Sequence, residues 1–185
     1  MADATAGTTM SDYTITFQTT DDEQFLDPLL DLAFGKDRIK RPSYTLRAGV
    51  LPIDQLCFTV KASNGELLAS LRFWPVSIQG EEALLLGPLA VNPTLQGKGI
   101  GRALVKHGLE QAKKMGYRLC FVVGEQCYYA PYGFELAQPS GYDMPVPVSA
   151  EKFQVLALQG DSLSALPKGM VQPWVLEVGS LHRKA

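Results

Sequence analysis

Polar and apolar residues alternate with a period of two over Tyr13-Thr14-Ile15-Thr16-Phe17, which predicts a first strand. The stretch from Thr20 to Glu23 has the form of a capping box and precedes apolar Phe25, Leu26, Leu29, Leu30, Ala33 and Phe34 at helical spacing. Pro28 interrupts that pattern, so the helix either kinks there or begins at Asp27-Pro28. Residues 35–52 carry Arg38, Lys40, Arg41 and Arg47, with Tyr44 and Leu46 between them, and predict irregular or partly helical chain. Two apolar runs, residues 56–62 and 66–76, then flank Ser63-Asn64-Gly65, and an Asn-Gly in that position is a hairpin signal. Gln79-Gly80 makes a second turn into residues 83–91, so three strands form an antiparallel meander.

Farther on, Ile100, Ala103, Leu104, Gly108, Ala112 and Met115 share one helical stripe, which predicts a helix over 100–115. Lys113 and Lys114 suit its C-terminal end, and Gly116 can terminate it. Residues 117–123 read as a buried strand, set parallel to the preceding one by the helical crossover. A Pro-rich stretch over 139–147, a strand at 153–158 and a last strand at 174–178 complete the chain. Repeats and low-complexity linkers are absent from the sequence. The organisation expected is a short polar tail over 1–11 and a single mixed α/β domain over 12–185.

Composition changes this picture little. A chain of 185 residues with 46% hydrophobic and 19% charged residues is ordinary for a folded domain. The net charge of −2 argues against nucleic-acid binding, which needs a basic face, and is compatible with a cationic amine as substrate. Cys57, Cys120 and Cys127 are an odd number without metal-ligand spacing, suiting reduced thiols and a cytoplasmic protein. No run is long and apolar enough for a membrane span, and the start lacks the features of a signal peptide.

The candidate chemistry begins at Leu86-Gly87-Pro88-Leu89-Ala90-Val91-Asn92-Pro93-Thr94-Leu95-Gln96-Gly97-Lys98-Gly99-Ile100-Gly101. An apolar strand ends there, and a loop with three alternating glycines opens the helix. The first N–H groups of a helix have no intrahelical partner and carry the positive end of its dipole, so its start is an anion site, with Lys98 and Arg102 adding charge. The P-loop pattern fails, because Lys98 lies between glycines and no Ser or Thr follows. The dinucleotide pattern fails too, because the glycines fall at 97, 99 and 101 and Cys120-Phe121 stand where a ribose-binding acid belongs. The order that fits is Q-x-x-G-x-G, and the later Tyr128-Tyr129-Ala130-Pro131-Tyr132-Gly133-Phe134 contains Y-x-x-x-G-F. Together they resemble the GNAT superfamily of N-acetyltransferases, in particular its bacterial "predicted N-acetyltransferase" branch, over about residues 13–160.

The resemblance implies a GNAT-like mixed α+β fold. Its mostly antiparallel sheet contains one splayed parallel strand pair and is flanked by helices. It implies acetyl-CoA as cosubstrate, transferring an acetyl group to a primary amine of a small molecule or peptide. The backbone of Leu89, Ala90 and Val91 would line the pantetheine arm, with one N–H polarising the thioester carbonyl, and Gln96, Gly97, Lys98, Gly99, Ile100, Gly101 and Arg102 would hold the pyrophosphate. Tyr129 matches the family's general acid. A free alkylammonium has a pKa of about 10.4, so a base or water chain must take a proton before or during attack. The family often carries a Glu in the strand before the loop, whereas Leu84-Leu85-Leu86 stand here, leaving Glu82 or Glu125 acting through water. Residues 35–52, 72–76 and 139–147 are expected to border the acceptor, and the sequence leaves the oligomeric state open, although many relatives pair as a homodimer. The competing reading is an acyl-CoA sensor without turnover.

Overall fold

The computed structural model describes residues 13–175, so the expected tail over 1–11 lies outside the described residues. Strand β1 (Thr14–Phe17) leads into helix α1 (Glu23–Phe34). The capping box sits one residue earlier than expected. The Thr19 N–H and hydroxyl donate to Asp22 Oδ2 at 2.8 and 3.0 Å, and a single 3-10 turn over Thr20–Asp22 enters the helix. Asp22 is buried and Lys61 Nζ pairs with it at 2.6 Å, which anchors the cap there rather than at Glu23. The helix starts at Glu23 and runs through Pro28. A proline in a helix interior costs about 3 kcal/mol. Burying Leu26, Leu29 and Leu30 against Leu67 and Ala90 contributes roughly 5–9 kcal/mol, so the helix persists. Residues 35–52 wind through 3-10 stretches at Lys36–Lys40 and Pro42–Arg47, anchored by fully buried Leu46.

The meander forms as the turn signals predict, from β2 (Cys57–Lys61), β3 (Leu67–Ile78) and β4 (Glu81–Val91), all antiparallel. In its second turn Gln79 and Gly80 both have positive φ, +50° and +87°, the requirement of a type I′ turn. Helix α2 (Ile100–Lys114) then crosses the sheet and delivers β5 (Leu119–Val123) parallel to β4. Next come α3 (Gln126–Tyr129), β6 (Glu135–Leu136), β7 (Tyr142–Asp143), β8 (Phe153–Ala157), α4 (Ser162–Ala165), β9 (Gly169–Met170) and β10 (Gln172–Pro173). The main sheet runs β1-β2-β3-β4-β5-β8-β6, with β10 paired to β3, while β7 and β9 form a separate pair. Among the described residues the last strand is Gln172–Pro173, two residues earlier than the expected start, and the Trp174 N–H still donates to the Pro75 carbonyl of β3 at 3.3 Å. The Val175 N–H donates to the Pro173 carbonyl at 3.1 Å, and 176–178 of the expected strand lie outside the described residues.

Alternation along β4 sends Leu84 and Leu86 to one face and Ala83 and Leu85 to the other. The first face packs Phe58, Leu71 and Phe73 under α2. A Cβ on Gly108 would lie 2.6 Å from the Phe73 ring, so glycine is what lets the helix seat this closely. The opposite face packs Val76, Phe121, Phe153 and Tyr142. Among the described residues no helix is long and apolar enough to cross a membrane.

Candidate active site

Strands β4 and β5 pair only at Leu84–Cys120 and Leu85–Phe121, and beyond those two positions they diverge. The cause lies in β4. Leu71 faces Leu89 but Phe73 faces Leu86, so Gly87 and Pro88 together stand opposite Arg72, a β-bulge that bends the strand away. The Asn92 N–H donates to the Leu68 carbonyl at 2.9 Å. Because antiparallel pairs alternate between bonded and non-bonded, Ala90 is bonded to Ser70, and Leu89 and Val91 turn their main-chain groups into the gap. The Ala90 side chain is buried against α1 and does not line the gap.

The gap widens into a cleft of about 890 Å³. One wall is the turn before α2, lined by Leu95, Gln96, Gly97, Gly99, Ile100, Gly101 and Arg102, whereas exposed Lys98 points elsewhere. Gly97 and Gly99 have φ of +80° and +86°, which only glycine adopts without strain. Gly101 serves differently, since a Cβ there would lie 2.8 Å from the Tyr128 hydroxyl. The first N–H to bond within the helix is that of Ala103, to the Gly99 carbonyl at 2.9 Å, which leaves the N–H groups of Ile100, Gly101 and Arg102 free at the cleft.

The facing wall holds Val122, Val123, Gly124, Glu125, Tyr128 and Tyr129. Tyr129 is 8% exposed, and its ring lies where a Cβ on Gly124 would come within 2.4 Å. Tyr128 and Phe134 flank it edge-on, with centroids at 4.9 and 5.6 Å. Burial, reinforced by the neighbouring phenols, pushes the Tyr129 hydroxyl well above the ordinary tyrosine range, so it keeps its proton at neutral pH. Burial likewise pushes Tyr128 up to about 12.

The two expected carboxylates separate. Glu82 is exposed near the start of β4, beside the Tyr117 hydroxyl at 3.5 Å. It is seven residues from Leu89, roughly 24 Å along an extended strand, and does not line the cleft. Glu125 does line it and pairs with Lys152 Nζ at 2.7 Å. Among the described residues it is the one carboxylate on the cleft, against five cations, Arg38, Arg41, Arg47, Arg102 and Lys152. The cleft is therefore cationic although the chain as a whole is mildly acidic, with Arg38 and Lys152 paired to carboxylates. Residues 35–52 do border the cleft, and Arg72 and Trp74 line an adjoining cavity. The Pro-rich stretch borders neither, because Tyr142, Met144 and Val146 pack into the core around Phe121 and Phe153. Gly124, Lys152 and the individual roles of Arg38 and Arg47 escaped sequence reasoning; the sole signal was the density of arginines interleaved with Tyr44.

Comparison with known proteins accords with this geometry. The family model described as Acetyltransferase (GNAT) family matches residues 22–130. The uncharacterized N-acetyltransferase YhbS of Escherichia coli strain K12 is 31% identical over 150 residues, covering 80% of this chain and 87% of that one. The uncharacterized N-acetyltransferase YjhQ of the same strain is 33% identical over 135 residues, 71% of this chain and 67% of its own. The crystal structure of Escherichia coli YhbS in complex with CoA superposes with a TM-score of 0.76 at 28% identity, covering 88% of this chain and 89% of that one. A Brucella melitensis GNAT acetyltransferase in complex with acetyl-CoA superposes at 0.64 and 27% identity, covering 86% and 94%. With its family model, its relatives and its splayed strand pair in agreement, the chain belongs to the GNAT family and is an N-acetyltransferase.

Proposed function

We propose that the protein takes the acetyl group of acetyl-CoA and passes it to a primary amine of a small molecule or peptide by direct attack on the thioester. The observation that carries this reading is the row of outward-facing main-chain groups at Leu89 and Val91, which leads into the free N–H groups at the start of α2. Such a row pairs with an extended amide-bearing arm as an added strand would, and the helix start with Arg102 receives a pyrophosphate. The cleft's cationic lining suits that polyanion, and the solved complexes of YhbS with CoA and of the Brucella protein with acetyl-CoA support the same choice. The cosubstrate supplies an acyl carbon activated by a thiol leaving group.

The residues then divide the work. A main-chain N–H at Leu89 or Val91 polarises the thioester oxygen, where negative charge develops. Tyr129, protonated at working pH, donates to the departing thiolate. Glu125, at the rim, accepts the amine's proton through water. Gln96, Gly97, Gly99, Ile100, Gly101 and Arg102 hold the diphosphate.

Thiol release from acetyl-CoA across an amine panel tests this, comparing wild type with Tyr129→Phe. Amine-dependent release that drops about 10²-fold or more in the variant, with calorimetric affinity for acetyl-CoA retained, is the expected result. Equal release in both proteins removes Tyr129 from the mechanism. Binding without release on any amine supports the acyl-CoA sensor instead.

A further inference from the structure

The guanidinium of Arg47 sits at the junction of two cavities. The larger is the cleft already described. The second, of about 330 Å³, shares Arg38, Tyr44, Arg47 and Pro88 with it and is also lined by Asp27, Arg72 and Trp74. Arg47 stacks over Tyr44 with its Cζ 4.7 Å from the ring centroid, and Trp74 lies at 5.7 Å. Nη2 reaches over the bulge, because a Cβ on Gly87 would lie 3.3 Å from it. Arg47 is thus fixed beside the place where β4 leaves β5, next to the main-chain groups assigned to the thioester.

Its charge has no counterpart in the protein. Arg38, the nearby cation, is held by Asp27 at 2.6 Å, by Asp31 at 2.8 Å and by the Tyr44 hydroxyl at 2.8 Å. Arg72 donates from Nε to the neutral Gln18 Oε1 at 2.8 Å. Among the described residues no carboxylate pairs with Arg47, and its Nε is sealed from solvent without a hydrogen-bond partner. Both Asp27 and Asp31 are engaged by Arg38, so neither is paired with Arg47. An uncompensated charge at such a place is costly, and Arg47 is open to an incoming anion through the two cavities it lines. Burial lowers the Arg47 pKa, Tyr44 opposes that shift, and the charges of Arg38 and Arg72 add to it.

We propose that the acceptor amine also carries a carboxylate and that Arg47 receives it, so that the acceptor class is amino acids or similar small amino-carboxylates. The inference rests on the acetyltransferase reading above. A single unpaired guanidinium at the junction of the cavities suits a monoanion. A stacked guanidinium also presents a planar edge that pairs with a planar carboxylate through two parallel hydrogen bonds. A simple alkylammonium, by contrast, brings no anion to the Arg47 guanidinium, whereas a carboxylate on the same molecule does.

The test has two arms. Calorimetry on the CoA-loaded protein measures binding of a panel of N-acetyl amino acids against their carboxamides, in wild type, Arg47→Gln and Arg47→Lys. Thiol release compares free amino acids, their amides and aminoalkylphosphonates. Hydrogen bonds to a charged partner predict that the wild type favours acid over amide by about 10- to 100-fold. That ratio falls to near one in Arg47→Gln and to an intermediate value in Arg47→Lys, whereas a purely structural loss would weaken acid and amide together. Equal affinities in wild type, no binding of any acid at millimolar concentration, a preference that survives Arg47→Gln, or tighter binding of phosphonates would each overturn the proposal. If the acid preference appears but no amine releases thiol, the carboxylate site stands and the acetyltransferase reading falls. If release occurs equally on acids and amides, the reverse holds.

Discussion

Gly124 contributes no side chain to the cleft and yet positions its most buried hydroxyl. The Tyr129 ring occupies the space a Cβ would need, with Cε2 only 2.4 Å from that position, and Phe134 and Tyr128 block its retreat. The φ of Gly124 is not in the left-handed region, so the constraint is steric and not conformational. Gly124→Ala therefore overpacks the site. It is expected to cost about 1–3 kcal/mol in chemical denaturation and to lower kcat toward the value of Tyr129→Phe. A variant with full kcat would show that the ring position is irrelevant to turnover. Residues of this kind are silent in a sequence, since a lone glycine after a strand is also an ordinary turn. The Q-x-x-G-x-G glycines were legible because three of them alternate, although their reasons differ between backbone freedom at 97 and 99 and close approach at 101.

Elements were legible where their signals are local and failed where a distant partner decides. The helix over 100–115 and the two hairpin turns follow from periodicity and turn residues alone. The cap of α1 moved to Thr19–Asp22 because Lys61, on β2, pairs with Asp22. Glu82 looked near the glycine loop in sequence but is separated from it by the extended length of β4, a distance that residue counting hides. Asp22 also carries a prediction. Burial alone would raise its pKa, but the Lys61 ammonium and the Thr19 N–H and hydroxyl outweigh that and hold it below the ordinary carboxylate value of 3.8. A depressed carboxyl contributes stability above its unfolded pKa and loses it as pH falls through the folded value. Asp22→Ala is expected to cost about 1–3 kcal/mol at pH 7, and the gap between variant and wild type should narrow below pH 4. Denaturant curves at pH 7 and 3.5 measure both, and a gap independent of pH would refute the charge pairing.

At the scale of the molecule, many ionisable groups are held neutral by full or partial burial. Burial raises Cys57 to about 11 and Tyr117 and Tyr128 to about 12, and it raises Cys120 and Tyr129 as well. A group whose folded pKa is raised contributes stability that is complete below the unfolded value and is lost as pH climbs toward the folded one. The unfolded chain ionises from about pH 9 for thiols and 10 for phenols, so Tm should fall progressively between pH 9 and 12. Cys57→Ala/Tyr117→Phe should show a shallower fall, and an unchanged slope would assign the loss to other groups. The same arrangement keeps Tyr129 a proton donor throughout the working range, so a rate increase with pH up to about 9 reports deprotonation of the acceptor amine.

The bulge at Gly87–Pro88 has a last consequence, visible to hydrogen–deuterium exchange. Beyond the bulge β4 is bonded on one edge only, so protection should alternate residue by residue within a single well-ordered strand. The amides of Leu89 and Val91 should exchange quickly, while that of Ala90, bonded to Ser70, exchanges slowly. CoA should silence the two fast amides and leave the slow one unchanged, giving a labelling pattern that reports occupancy of the crevice without any turnover at all.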